Sequence, residues 1–91
     1  METYETKFEG EVIMKPIQIK DANKLLEQYP KLKVKNYVKF LNMDGDLFAI
    51  GETGKIIRIK RGIIWESKKG SSLEVKEFEL IDGGGTVEGG R

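Results

Sequence analysis

The pattern that decides the predicted fold is Lys31-Leu32-Lys33-Val34-Lys35-Asn36-Tyr37-Val38-Lys39-Phe40. Residues two positions apart share a face of a β-strand, and apolar and polar residues alternate strictly here. One predicted face is apolar and carries Leu32, Val34, Val38 and Phe40. The opposite face is polar and carries Lys31, Lys33, Lys35, Tyr37 and Lys39. We therefore predict one strand with a face for the core and a face for an anion.

The next segment has the sequence of a β-hairpin. Asp44-Gly45 lies between two apolar stretches, residues 38–41 and 47–50. An Asp-Gly pair flanked by such stretches favours a tight turn whose central residues both need positive φ. A second turn is predicted at residues 51–54, where glycines flank Glu52 and Thr53.

The elements before the lysine-rich strand are a further strand and a helix. Alternation predicts a first strand over residues 3–14 with a bend near Gly10, and Pro16 is expected to end it. Asp21 is a predicted N-cap for a helix over residues 22–29, whose apolar residues recur at helical spacing. Pro30 should stop that helix, because the residue before a proline disfavours the α region.

Two more strands complete the chain. One covers residues 55–61, is interrupted at Gly62, and continues past a bulge through residues 63–65. The last covers residues 73–81, and the glycine-rich residues 83–91 are predicted to be a flexible tail. The fold class is thus mainly β with one short helix (α+β), in a single domain over residues 1–82. Short strands usually avoid exposed edges by closing, which predicts a small curved β-barrel or pseudobarrel, SH3-like or PUA-like.

Most of the apolar residues are assigned to the core of this domain. The expected core residues are Leu25, Leu26, Val34, Val38, Phe40, Ile50, Ile57 and Ile59. Trp65 follows two isoleucines beside a lysine-rich loop. Its first interpretation is a core residue, and the alternatives are a base-stacking platform or an interface anchor.

Composition excludes several function classes. The 91 residues include no cysteine and no histidine, which removes thiolate and imidazole nucleophiles, bases and metal ligands. We therefore predict a non-enzymatic protein without cofactor, metal or small-molecule substrate. No stretch has the roughly 18 apolar residues of a membrane span, and a cysteine-free chain fits a reducing compartment, so we predict a cytoplasmic protein that does not contact membranes.

Charge is distributed unevenly along the chain. Residues 31–69 carry ten basic and four acidic side chains, whereas acidic side chains predominate on both flanks. Such asymmetry often separates a positive surface from a negative one, and a positive surface is a candidate phosphate-binding face.

Part of the chain resembles a known family. The matching residues are Ile19, the segment Asp21-Ala22-Asn23-Lys24-Leu25-Leu26, and the segment Val38-Lys39-Phe40-Leu41-Asn42-Met43-Asp44-Gly45-Asp46-Leu47-Phe48-Ala49-Ile50-Gly51-Glu52. This order is similar to PUA domains, in particular the C-terminal module of bacterial tRNA pseudouridine synthases, and covers residues 17–61. The resemblance implies a pseudobarrel that binds structured RNA without chemistry of its own. The strand over residues 3–14 and the lysine-rich stretch depart from the family pattern, so no individual RNA contact is transferred.

The predicted nucleic-acid-binding residues come from two basic clusters. They are Lys31, Lys33, Lys35, Tyr37 and Lys39 in the first, and Arg58, Lys60 and Arg61 in the second. If both clusters share one face, they converge on a polyanion, and Tyr37 can stack on a base. The alternative is that the lysines only protect an edge strand from aggregation and Tyr37 only covers their methylenes.

Two other motifs are interpreted as turns. The segment Gly51-Glu52-Thr53-Gly54-Lys55 is too short for a phosphate-binding loop and has Ile56 where such a loop needs Ser or Thr. Asp44, Asp46 and Glu52 lack the pattern of a cation-binding loop, so no metal is assigned.

The leading functional hypothesis is a nucleic-acid-binding domain, with RNA as the first expected partner. The alternative is a small protein-binding adaptor or inhibitor, for example one encoded by a phage, that docks its basic face or a strand edge on a host protein. An enzyme is the third hypothesis.

Overall fold

The computed structural model describes residues 6–8 and 12–83, with side chains from Ile13 onward. These residues form one helix and seven strands. They are β1 (Thr6–Phe8), β2 (Val12–Gln18), α1 (Ala22–Gln28), β3 (Lys33–Val34), β4 (Lys39–Met43), β5 (Asp46–Ile50), β6 (Ile56–Ser67) and β7 (Gly70–Asp82). The prediction of a mainly β chain with one short helix is confirmed. The predicted tail lies outside the described residues except for Gly83.

The strands form one sheet arranged around β6. On one side of β6, β7 pairs along its whole length; on the other side β5 pairs with its start and β2 with its end. β1 and β4 extend this side, and β3 pairs with β7 in parallel. Among the described residues, β3 and β4 are the two ends of the path β3-β7-β6-β5-β4 and do not pair. The sheet is therefore open, and the closed form of the predicted β-barrel or pseudobarrel is wrong.

One face of this sheet packs under the helix to form the core. The buried residues of this cluster are Ala22, Tyr29, Leu32, Val34, Leu47, Ala49, Ile57, Ile59, Ile64 and Leu73. Burying each large aliphatic side chain contributes about 1.5–3 kcal/mol before conformational entropy is subtracted. The core therefore explains folding and leaves the opposite face of β3, β6 and β7 for other roles.

The helix has the limits that its sequence predicts. The Asp21 carboxylate accepts a hydrogen bond from the Asn23 N–H at 2.9 Å, as an N-cap does. The helix ends at Gln28, with Tyr29 as its C-cap directly before Pro30, and Tyr29 is buried. The Ala22 N–H donates to the Gly45 carbonyl, which ties the helix to the turn between β4 and β5.

That turn confirms the predicted hairpin. Asp44 and Gly45 have φ values of 52° and 82°, the left-handed pair that a two-residue turn of type I′ requires. The turn joins β4 and β5 in antiparallel register, with Met43 opposite Asp46. The turn after β5 is also confirmed, because the Gly51 N–H donates to the Lys55 carbonyl at 2.8 Å.

The single strand predicted over residues 31–40 is wrong. β3 covers only Lys33–Val34, and Asn36 follows with φ of 70° in the left-handed region, which ends the extended backbone. The turn changes which face the following residues occupy. Val38, predicted in the core, is therefore 62% exposed.

The predicted first strand is two strands. β1 and β2 pair antiparallel, with Phe8 opposite Val12, and the predicted bend at Gly10 lies outside the described residues. Pro16 does not end β2 but lies within it, opposite Ile63 of β6. The Ile19 N–H donates to the Lys60 carbonyl, so by alternation the Pro16 nitrogen faces away from β6. A proline without an N–H costs no ladder bond there.

Gly62 of β6 lies close to the backbone of β7. A Cβ at Gly62 would lie 2.5 Å from the Glu74 carbonyl oxygen and 2.7 Å from Leu73 Cδ1. The β6–β7 register shifts on both sides of Arg61, so the strand continues past an irregularity as predicted. Only glycine permits this approach.

No helix in the described part of the chain has the length and apolar character needed to cross a bilayer.

Candidate nucleic-acid interface

A row of side chains crosses three strands on the face opposite the core. Lys33 of β3 pairs with Ser72 of β7, and Ser72 pairs with Trp65 of β6. The residues next to them, Val34, Leu73 and Ile64, are buried in the core, so this row faces outward. Adjacent strands lie about 4.8 Å apart, which brings Lys33 and Trp65 within two strand spacings of each other.

A cleft of about 400 Å³ opens on one side of this row. We call it the Trp65 cleft; its walls include Trp65, Glu66 and the lysines Lys31, Lys33 and Lys69. The turn between β6 and β7 closes one end, with Ser67 and residues 70–72. An aromatic ring and three ammonium groups therefore share one concave surface.

A second cleft, of about 580 Å³, lies on the other side of Lys33 and Ser72, which line both clefts. We call it the Tyr37 cleft; Lys35, Tyr37 and Lys39 line it together with apolar side chains of residues 34, 38 and 40. The turn at Asn36 creates this cleft, because it separates β3 from β4. Tyr37 is half-buried against the core, which holds its ring in the wall.

The two clefts together concentrate positive charge. They are lined by five exposed lysines, Lys31, Lys33, Lys35, Lys39 and Lys69, and by one carboxylate, Glu66. None of these lysines forms an ion pair with another residue of the described part of the chain. Their charge is thus available to an anionic ligand.

Trp65 is held in place by polar contacts and is not a core residue. Its indole N–H donates to the Glu74 carboxylate at 2.9 Å, and Lys35 Nζ lies 4.9 Å from the ring centroid. The indole hydrogen bond lowers the pKa of Glu74 most; burial of the carboxyl raises it in opposition, and Lys76 and Lys35 lower it further. The first interpretation of Trp65, a core position, is therefore wrong; the ring is half-buried on the outer face.

The second predicted cluster does not line either cleft. Arg58 pairs with Asp46, at 3.6 Å, and with Glu79; Arg61 pairs with Glu77 at 3.3 Å. Lys60 is exposed on the same strand. Arg58 precedes Trp65 by seven positions on β6, roughly 23 Å at the rise of an extended strand. The structure thus brings the five residues of the first cluster together and leaves Arg58, Lys60 and Arg61 elsewhere; their predicted phosphate contacts stay a prediction.

Sequence reasoning missed part of this site. Lys69 and Ser72 belong to it because the β6–β7 hairpin folds beside β3. The pair Lys68-Lys69 beside Trp65 was a usable signal. The parallel pairing of β3 with β7, some forty positions along the chain, has no local signature.

No group of three or more side chains of the kinds that ligate metals occurs among the described residues. No protein-family model, curated protein or solved structure matches the chain.

Proposed function

We propose that this chain is a non-enzymatic nucleic-acid-binding domain and that RNA is its preferred ligand. The observation that carries the proposal is a set of five exposed lysines around two adjoining clefts with aromatic walls, none of which forms an ion pair with another described residue. Phosphate groups are spaced regularly along a nucleic-acid strand, and each lysine that neutralises one of them releases a counterion.

Counterion release makes the proposal quantitative. If all five lysines contact phosphates of a single strand, log K should fall with log salt at a slope of about −3.5. A protein whose lysines only prevent aggregation would show no such slope, because it would not bind RNA at all.

The experiment is a fluorescence anisotropy titration of a labelled RNA against two charge-matched triple variants. The cleft variant carries Lys31→Glu, Lys33→Glu and Lys35→Glu. The control variant carries Lys15→Glu, Lys20→Glu and Lys24→Glu, three positions that belong to neither predicted cluster and line neither cleft. The cleft variant should lose binding and keep its melting temperature, and the control should retain most of the affinity. Equal binding by both variants would overturn the proposal.

The resemblance of residues 17–61 to PUA domains supports an RNA ligand, since that family binds structured RNA. From that resemblance we also propose a PUA-like pseudobarrel relationship, and from the cysteine-free composition we propose a cytoplasmic location. Measurable turnover by the purified chain would revive the enzyme hypothesis.

A second candidate function is protein binding at the edge of β7. Among the described residues, positions 75–81 pair with β6 on one side only, and Phe78, Leu80 and Ile81 are 47%, 55% and 51% exposed. Such an edge can accept a strand from a partner protein. The test is a pull-down after nuclease treatment. This candidate requires that a captured partner protein stays bound after the nuclease. The Leu80→Lys variant should no longer capture that protein, and the cleft variant should still capture it.

A further inference from the structure

We propose that the ligand of the two clefts is a single strand, one of whose unpaired bases stacks on Trp65. This inference rests on the proposed function and narrows it from nucleic acid in general to its unpaired form. It depends on the shape of the clefts and on how Trp65 is held, in addition to charge.

The clefts are concave, and each contains an aromatic ring beside lysines. Volumes of about 400 and 580 Å³ fall in the range of sites that enclose small organic molecules. An unpaired base with its π face exposed can enter such a cleft. A base inside a duplex is stacked on both faces and cannot.

Trp65 can contact a ligand through its ring but not through its N–H group. The indole N–H is already bonded to Glu74, which fixes the ring orientation. Trp65 is only partly buried and lines the Trp65 cleft, and stacking on an aromatic side chain accepts any base. The contact therefore predicts affinity without strong sequence preference.

Lys35 determines the side from which a base can approach. Its ammonium group lies over the Trp65 ring, yet Lys35 lines the Tyr37 cleft and not the Trp65 cleft. Since Trp65 itself lines the Trp65 cleft, we expect a base to approach the ring from that cleft. Lys33, which lines both clefts, is positioned to contact a phosphate between a base in one cleft and a base in the other.

A duplex would use the same site differently. Proteins contact double-stranded RNA through phosphates and 2′-hydroxyl groups because its bases are enclosed. A duplex can therefore meet the lysines but not the Trp65 ring. We expect it to bind at least about tenfold more weakly than a single strand with the same number of phosphates, the difference that one stacked base provides.

The experiment uses Trp65, the one tryptophan of the chain, as its own probe. A twenty-nucleotide oligouridylate and a blunt ten-base-pair RNA duplex with the same number of phosphates are each titrated into the full chain, with tryptophan fluorescence and anisotropy recorded together. The single strand should quench Trp65 and bind more tightly, and the duplex should leave the fluorescence unchanged. This comparison needs no variant and so does not depend on whether a variant folds.

Two substitutions complete the test. Trp65→Leu should weaken single-strand binding about tenfold, with duplex affinity and the salt slope unchanged, and Trp65→Phe should keep most of the affinity. If single strand and duplex bind equally and Trp65 fluorescence does not respond, this inference is wrong while nucleic-acid binding stands. If neither ligand binds, the proposed function fails as well.

Discussion

Two basic regions of this molecule look alike in sequence and differ in structure. The first region consists of the Trp65 cleft and the Tyr37 cleft, which are lined by five lysines without ion pairs to other described residues. The second region, which we call the arginine row, consists of Arg58 and Arg61 of β6 with the carboxylates opposite them on β7. Its charges are largely neutralised within the fold. The difference teaches that a high density of basic residues is not enough to locate a candidate site for a polyanion. The ion-pair partners of each basic side chain must also be known.

Strand register produces this difference. Arg58 lies opposite Glu79, and Arg61 opposite Glu77, because β6 and β7 run antiparallel over the acidic half of β7. Lys33 instead lies opposite Ser72, at the start of β7, where serines replace glutamates. The same strand β7 thus neutralises one basic region and leaves the other available.

The largest effect should come from removing the scaffold of both regions. Gly62→Ala places a Cβ against the Glu74 carbonyl and should lower the free energy of unfolding by about 3 kcal/mol, because backbone must move to accommodate it. Urea denaturation measures this change. Gly83→Ala is the matched control, since nothing lies within 4 Å of a Cβ there, and it should be neutral. A fully stable Gly62→Ala variant would contradict the role of close β6–β7 packing.

The second-largest effect should come from removing carboxylates that pair with the arginine row, which makes its charges available like those of the cleft lysines. Replacing Glu77 and Glu79 with glutamine releases Arg61 and weakens the pairing of Arg58, which keeps Asp46. RNA long enough to reach both regions should bind up to about tenfold more tightly, from two more phosphate contacts. Stability should fall by less than about 1 kcal/mol, since these pairs are exposed. Unchanged affinity in the anisotropy titration would show that the row lies outside the binding surface.

Single substitutions in the two regions should have smaller effects on RNA binding, and the effects should differ between the regions. Lys33→Gln removes a cation that lines both clefts and should weaken RNA binding about fourfold and reduce the salt slope by about 0.7. Arg61→Gln removes a cation already paired with Glu77 and should change neither quantity. The same effect from both substitutions would remove the distinction between the regions.

The smallest effect concerns the carboxylate that holds Trp65. The pKa of Glu74 is lowered in the folded state from its usual value of 4.5, mainly by the indole hydrogen bond. Its contribution to stability is therefore complete above that value and is lost as pH falls through the folded pKa. Thermal unfolding from pH 6 to pH 3 should show a small acid-dependent loss, with a parallel change in Trp65 fluorescence. Glu74→Gln should lack this component, and an identical pH profile in the variant would contradict the assignment.

Local patterns predicted the elements whose causes are local. The Asp44-Gly45 turn and the Asp21 cap depend on the φ values or hydrogen bonds of one or two residues. The break at Asn36 was missed because apolar residues recur at alternate positions on both sides of it, which favours a strand. Asparagine adopts the left-handed region more readily than most residues, which was the available sign.

The position of Trp65 could not be predicted by the same means. A tryptophan after two isoleucines fits a core strand equally well, and only the parity after the register shift at Arg61 turns the ring outward. The clefts themselves depend on the pairing of β3 with β7.

By itself, the sequence determined the mainly β class, the helix, the hairpin and a positively charged middle segment, because propensity, capping and charge act over a few residues. The tertiary structure alone decided which cations stay unpaired, because an ion pair forms only where the register of distant strands brings a carboxylate opposite. It likewise decided that Trp65 and Tyr37 line clefts beside the lysines. A site built from such contacts is a property of the fold, and no short segment of this chain contains it.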